Sequence, residues 1–217
     1  MAPGDQSTGL ARRLITVAPG SRLEGAAGSG GELWYVISGG GRLDAGGHRE
    51  AAVREQSGAW LPPGTRYLLR ADPDAEIRLD AVALPEPEPG TAADPQDLAD
   101  PPHLADLRDC EVERTGDRRF RVLLGPGRGC EAATQFVGEI PPGRAPEHTH
   151  PYDELVLVLA GQGVAHVGGG DRPLAPGARL HLTPGTPHCL ENTGSDDLVV
   201  LGVFHPGGSP AAKTERR

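Results

Sequence analysis

Glu32-Leu-Trp-Tyr-Val-Ile-Ser-Gly-Gly-Gly41 and Glu154-Leu-Val-Leu-Val-Leu-Ala-Gly-Gln-Gly163 read as one stretch written twice. The shared frame is E-L-x-x-V-x-x-G-x-G. A second block repeats as well, Leu61-Pro-Pro-Gly-Thr-Arg-Tyr67 against Leu182-Thr-Pro-Gly-Thr-Pro-His188. Glu32 and Tyr67 are 35 residues apart, and Glu154 and His188 are 34 apart. Two matched blocks at nearly matched spacing identify an internal duplication.

Outward from these blocks, the chain reads as short Val-, Leu- and Ile-rich runs separated by Gly and Pro turn-formers. Expected strands cover 34–37, 67–70, 120–124, 133–140, 155–159, 179–182 and 198–204. Only 94–109 has room for helix, and its prolines shorten that. The expected fold class is all-β, with two tandem antiparallel barrels or jelly rolls. Residues 1–84 form the first barrel and 104–210 the second. The segment 85–103, beginning with alternating Pro and Glu, reads as an extended linker. Residues 211–217 read as a frayed tail.

Composition narrows the function. The 217 residues carry a net charge of −9, and no basic stripe suits nucleic acid. No apolar run approaches the roughly 18 residues of a membrane span. The polar start lacks a signal-peptide pattern, so a cytoplasmic protein is expected. Gly (32) and Pro (22) make up about a quarter of the chain, but they punctuate apolar runs rather than form low-complexity tracts. Cys110, Cys130 and Cys189 have no CxxC spacing, which argues against a disulfide framework or a zinc knuckle.

The chemistry concentrates in the second half. His148 and His150 are two residues apart, so on an extended chain they share a face. Glu154 follows a short corner, and His188 comes from a later strand end. Three imidazoles and a carboxylate suit a divalent first-row metal and leave positions for water or substrate. Tyr152, between two of these residues, is the candidate proton donor, with Glu147 beside it at the mouth and Arg144 nearby. Period-two alternation puts Thr134 and Phe136 on one face, together with Gly138 and Ile140. It puts Val156 and Val158 on the face of Glu154, and Leu190 on that of His188. Thr134, Phe136, Val156, Val158 and Leu190 are therefore the candidate pocket wall. His181 points away from the metal, and Cys189 is a small buried thiol. His48, His103, His166 and His205 lack partners at ligand spacing and read as surface or loop residues.

These two blocks resemble the paired cupin motifs, roughly G-x(4,5)-H-x-H-x(3,4)-E-x6-G and G-x5-P-x-G-x2-H-x3-N. The second departs only at Thr183, where the family has Pro. With the duplication, the whole chain resembles a bicupin. The resemblance implies metal binding by His148, His150, Glu154 and His188. It implies one divalent transition metal per chain, iron(II) first, with zinc, manganese, nickel or copper as alternatives. In the first half, counting back from Glu32 places Ala26 and Gly28 at the histidine positions, and Tyr67 takes the last one. That half is expected to hold no metal, with Glu32 at a solvated strand start and Tyr67 packed in the barrel.

Three functions remain open. The favoured one is an iron(II)-dependent dioxygenase acting on an enolisable or catechol-like small molecule chelated at the metal. The second is O2-independent Lewis-acid chemistry (isomerase, cyclase, lyase or hydrolase). The third is non-catalytic metabolite binding. The expected partner is a small-molecule substrate, with no nucleic acid and no membrane. A homodimer is a further option, because a bicupin pairs its own barrels and the chain could pair again.

Overall fold

A computed structural model describes residues 9–47, 49–87 and 103–211. The chain divides into two compact units at the junction of Asp106 and Leu107. The first contains β1 (Ala11–Val17), β2 (Arg22–Ala26), β3 (Glu32–Ser38), β4 (Gly40–Ala45), β5 (Ala51–Arg54), β6 (Ser57–Leu61), β7 (Arg66–Ala71), β8 (Ile77–Ala83) and β9 (His103–Asp106). These strands form two sheets, in the orders β1-β8-β3-β6-β9 and β2-β7-β4-β5. Alternate residues turn inward, so Trp34 and Val36, Leu43 and Ala45, and Ile77 and Leu79 share one core.

The second unit opens with a 3-10 turn, Leu107–Asp109. It continues as β10 (Glu113–Thr115), β11 (Arg118–Leu124), β12 (Thr134–Ile140), β13 (Gly143–Arg144), β14 (Asp153–Ala160), β15 (Gly163–Val167), β16 (Gly170–Leu174), β17 (Arg179–Leu182), β18 (His188–Asn192) and β19 (Leu198–His205). Its sheets run β10-β11-β12-β19-β14-β17 and β13-β18-β15-β16.

Eight strands of each unit repeat one order. The run β1-β8-β3-β6 has the order of β12-β19-β14-β17, and β2-β7-β4-β5 has that of β13-β18-β15-β16. Glu32 lies opposite Leu61 and Ala83, and Glu154 lies opposite Leu182 and Phe204. Even the irregularities coincide. The β3–β8 register shifts between Val36 and Ser38, and the β14–β19 register between Val158 and Ala160. The turns that follow use Gly39 (φ 80°) and Gly161 (φ 83°). A Cβ at either would press on a backbone carbonyl, of Glu76 or of Asp197, so both positions demand glycine.

The join differs from the sequence expectation. Residues 104–106, read as the start of the second barrel, belong to β9 and pair with β6 of the first unit. They complete the edge of that sheet, which would otherwise expose unpaired backbone groups. Of the stretch with room for helix, 103–106 is strand and 107–109 a 3-10 turn. Residues 94–102 lie outside the described residues, as do most of the linker, His48 and 212–217. Among the described residues, no helix is long and apolar enough to cross a membrane.

Candidate metal centre

Backbone hydrogen bonds set the positions of the three histidines. His148 and His188 exchange both backbone bonds, N to O at 3.0 and 2.9 Å, which brings the chain before β14 against the start of β18. Gly185 N donates to the His150 carbonyl at 2.8 Å, tying the Pro-Gly turn to the same corner. The imidazole centroids of His148 lie 4.8 Å from His150 and 4.5 Å from His188. Each histidine offers a ring nitrogen within 4.8 Å of the others, a group able to hold a divalent metal.

The second ring nitrogens fix the tautomers. Nδ1 of His148 lies 3.1 Å from the Pro146 carbonyl and Nδ1 of His188 lies 2.8 Å from the Thr186 carbonyl. A carbonyl only accepts, so Nδ1 carries the hydrogen and Nε2 of the neutral ring keeps its lone pair. His188 Nε2 and His150 Nδ1 are buried without a hydrogen-bond partner. Such orphans cost about 1–3 kcal/mol each, and the one at His188, which faces Glu154, calls for a ligand. Glu154 Oε2 lies 3.4 Å from His188 Nε2 and 3.5 Å from His150 Nε2. These distances are long for hydrogen bonds. They are separations that neighbouring donors to one divalent ion, with bonds of about 2.1 Å, can have. The donor set therefore fits a divalent ion.

Burial favours the neutral imidazole a metal needs. It pushes His148 below the ordinary range and His150 down to about 4. At His188 burial also acts downward, but the Glu154 carboxylate, the Thr186 carbonyl and the nearby charge of Glu147 prevail and raise it.

The histidines and Glu154 open onto a cavity of about 570 Å³, counting its solvent-open mouth. One wall is aromatic, made by Phe120, Phe136 and Phe204. Aliphatic side chains, Ile140, Leu182, Leu190 and Val200, line the rest, and Arg118, Arg119 and Thr115 stand among them. A glycine on a neighbouring strand makes room for one ring. Phe136 lies opposite Gly202, where a Cβ would run into that ring.

Of the five pocket residues expected from sequence, Phe136 and Leu190 line the cavity. Thr134, Val156 and Val158 do not. The two valines do share the inward face of Glu154, but they sit in the packed core with Leu174, Leu180 and Leu198. Thr134 is buried, and its Oγ1 accepts a bond from Gly208 N at 3.1 Å. Tyr152 is also displaced from its expected role. Its ring stacks on His150, with centroids 4.9 Å apart and planes 12° apart. Its hydroxyl donates to the Ser209 carbonyl at 3.3 Å, and burial raises its pKa to about 12. Tyr152 buttresses a candidate ligand instead of facing a substrate. Glu147 and Arg144 are exposed and outside the lining. His181 faces away from the cavity, with Nε2 2.7 Å from Asp153 Oδ1. His166 is not a lone surface residue, because its nitrogens lie 2.6 Å from Asp171 and 2.8 Å from Glu191. The missed lining residues had a signal. Alternation along Arg118-Arg119-Phe120 puts Arg118 on the face of Phe120.

In the first unit, register corrects the residue count. Tyr67 pairs with Gly25, as His188 does with His148. Gly64 N donates to the Ala27 carbonyl, as Gly185 N does to that of His150. The histidine positions are thus Gly25 and Ala27, not Ala26 and Gly28, because the corner before Glu32 is one residue longer. A Cβ at Gly25 would lie 2.6 Å from the Tyr67 hydroxyl, so the ring of Tyr67 fills that space. Tyr67 packs edge-on against Trp34 with centroids 4.6 Å apart. Glu32 is not solvated. It is 4% exposed and accepts bonds from Arg13 Nη2 and Trp34 Nε1, each at 2.9 Å.

Residues 136–204 match the family model of the cupin domain. The second barrel has the cupin-type fold. The chain as a whole is all-β, with two tandem cupin-type barrels. Over 68 residues it is 37% identical to the oxalate-binding protein of Thermotoga maritima, a match covering 30% of this chain and 56% of that protein. The matched stretch thus spans about half the length of this curated relative. Among solved structures, the R92A mutant of Bacillus subtilis oxalate decarboxylase has a TM-score of 0.77 at 15% identity, covering 96% of this chain and 71% of that one. Vicilin from hazelnut, Corylus avellana, has a TM-score of 0.71 at 12% identity, covering 92% and 76%. Likeness at that identity establishes the cupin fold, which hosts many activities. The cupin-domain match and the three-histidine group together point to a divalent metal.

Proposed function

We propose that the chain is a bicupin whose second barrel is the working site of a metal-dependent enzyme, with one divalent ion held by His148, His150, Glu154 and His188. The observation that carries this reading is the convergence of three imidazoles beside the Glu154 carboxylate, which lies 3.4 Å from the buried, unpartnered Nε2 of His188. A divalent ion bound there supplies Lewis acidity toward a chelated enolate or catecholate and, as iron(II), redox chemistry with dioxygen.

The chain's own residues favour the iron(II) dioxygenase reading over O2-independent isomerisation. Isomerases and lyases need a side chain to take up and return a proton. Among the described residues, the cavity lining holds no carboxylate, imidazole or phenol apart from the four candidate ligands. The Tyr152 hydroxyl is bound to Ser209, and Glu147 stands outside. The Pro146 and Thr186 carbonyls hold two imidazoles in orientation, while Phe120, Phe136 and Phe204 exclude water from one side. A second reading, metabolite binding without catalysis, is supported by the likeness to an oxalate-binding protein.

Anaerobic purification followed by elemental analysis and oxygen-uptake assays tests the proposal. About one iron per chain, with uptake that depends on an added 2-oxo acid, diketone or catechol, is the expected result. Bound zinc, manganese, nickel or copper without oxygen uptake would overturn the dioxygenase reading.

A further inference from the structure

We infer that the metal cavity of the second barrel takes a carboxylate with an apolar body, of the 2-oxo acid class, and that Arg118 is the residue that reads its carboxylate. The inference rests on the metal site proposed above and names the ligand chemistry that site selects.

Strand β11 carries three arginines close together. Arg119 is held by Glu139 at 2.8 Å and Asp197 at 2.6 Å, and Arg121 by Glu139 at 3.0 Å. Arg118 has no such carboxylate partner among the described residues. It is half-buried at the cavity wall, so its charge is neither neutralised nor fully given to solvent. A guanidinium in this position offers a fork of donors matched to a carboxylate.

The rest of the lining describes the body of the ligand. Three phenylalanines and four aliphatic side chains surround the metal position. A bare dicarboxylate would leave that surface unused. A 2-oxo acid with a branched or aromatic side chain uses all three features: oxygens to chelate, a carboxylate for Arg118, and a hydrocarbon body for the phenylalanine wall.

The test is anaerobic calorimetry on metal-loaded full-length protein, with 4-methyl-2-oxopentanoate, its amide and pyruvate as probes. The first and last share a chelating head and differ by the apolar body. The acid and its amide share the body and differ by the charge. Burial of the side chain is expected to make 4-methyl-2-oxopentanoate bind at least about tenfold tighter than pyruvate. Arg118→Gln is expected to weaken the acid by about 10–100-fold and the amide by no more than about threefold, with metal content unchanged. Equal binding of the acid and pyruvate, equal loss of acid and amide in the variant, or no binding of the acid would each overturn the ligand class. A wild-type chain that takes up no metal would instead overturn the metal site itself, and this inference with it.

Discussion

The two barrels share strand order, bulge and the strand positions that flank their motif glutamates, yet they neutralise that glutamate in different ways. Glu154 faces two imidazoles. Glu32 faces the guanidinium of Arg13, at 2.9 Å, and an indole N–H. Arg13 lies opposite Ala81, and the matching position in the second barrel is Phe136, opposite Gly202. One strand position thus carries a cation in the first barrel and an aromatic wall in the second. A buried carboxylate needs a positive partner. The first barrel supplies one covalently and fills the remaining space with Tyr67. The second leaves the centre open and surrounds it with neutral imidazoles. The frame that builds the barrel is therefore separate from the residues that make a site in it.

The comparison breaks most visibly at the ligands. His148→Ala or His188→Ala should abolish metal retention, lowering content from about one ion per chain to under a tenth. Loss of a supporting partner alone costs about 10–100-fold in affinity, and loss of a ligand costs more. Glu32→Ala should leave metal content unchanged. Elemental analysis of the three dialysed proteins decides it. A fall in the Glu32 variant would mean that the first barrel also binds metal.

The next effect is on stability. Arg13→Ala strips Glu32 of its cation inside the barrel and should cost about 2–3 kcal/mol, below the range for fully buried pairs because the arginine side chain is half exposed. Glu32→Gln keeps the bond from Trp34 and removes the charge, so it should cost less. In urea titrations the double variant should lose less than the two single losses combined. Strict additivity would show that the guanidinium does not serve Glu32.

A smaller change should follow Gly202→Ala. The new methyl would run into the ring of Phe136, which must swing or press on Phe204, 4.7 Å away. Overpacking of this kind costs about 1–3 kcal/mol. The equivalent Ala81 tolerates its methyl because its neighbour is the long, adaptable chain of Arg13. A Gly202→Ala protein as stable as the parent, with an unchanged cavity, would refute this account of why the position is glycine.

Most of the fold was legible in the sequence, because period-two alternation and Gly-Pro turns are local and the duplication displayed them twice. The four candidate ligands were legible for the same reason, since their spacing is fixed by the corner before β14 and the turn before β18. The walls were only half legible. Alternation tells which face Val156 and Val158 occupy, but not how far along the barrel the cavity reaches, which depends on side chains from seven strands. Tyr152 misled because its place between ligands suggests the cavity, whereas its ring stacks behind His150. Glu32 misled because Arg13 meets it through a pairing across 19 residues, which no local pattern records. The shift from Ala26 and Gly28 to Gly25 and Ala27 needed backbone register, because one added residue in a corner is invisible to counting.

The smallest expected effect concerns a histidine with no part in the metal site. His166 on β15 lies between Glu191 on β18 and Asp171 on β16. Hydrogen bonds to Glu191 and then Asp171 favour its charged form and raise its pKa above the ordinary value. A raised pKa in the folded state means that the charged ring stabilises the fold. That contribution is fully present below the unfolded pKa of about 6.5 and is lost as pH rises through the folded value. His148 and His150 have lowered values and act in the opposite sense, losing stability on the acid side. Subtracting His166→Gln from the parent protein cancels them. The stability difference between the two proteins should be greatest near pH 6 and shrink by pH 8.5 in thermal unfolding followed across that range. A difference that stays flat with pH would mean that His166 holds β15, β16 and β18 together as a neutral ring.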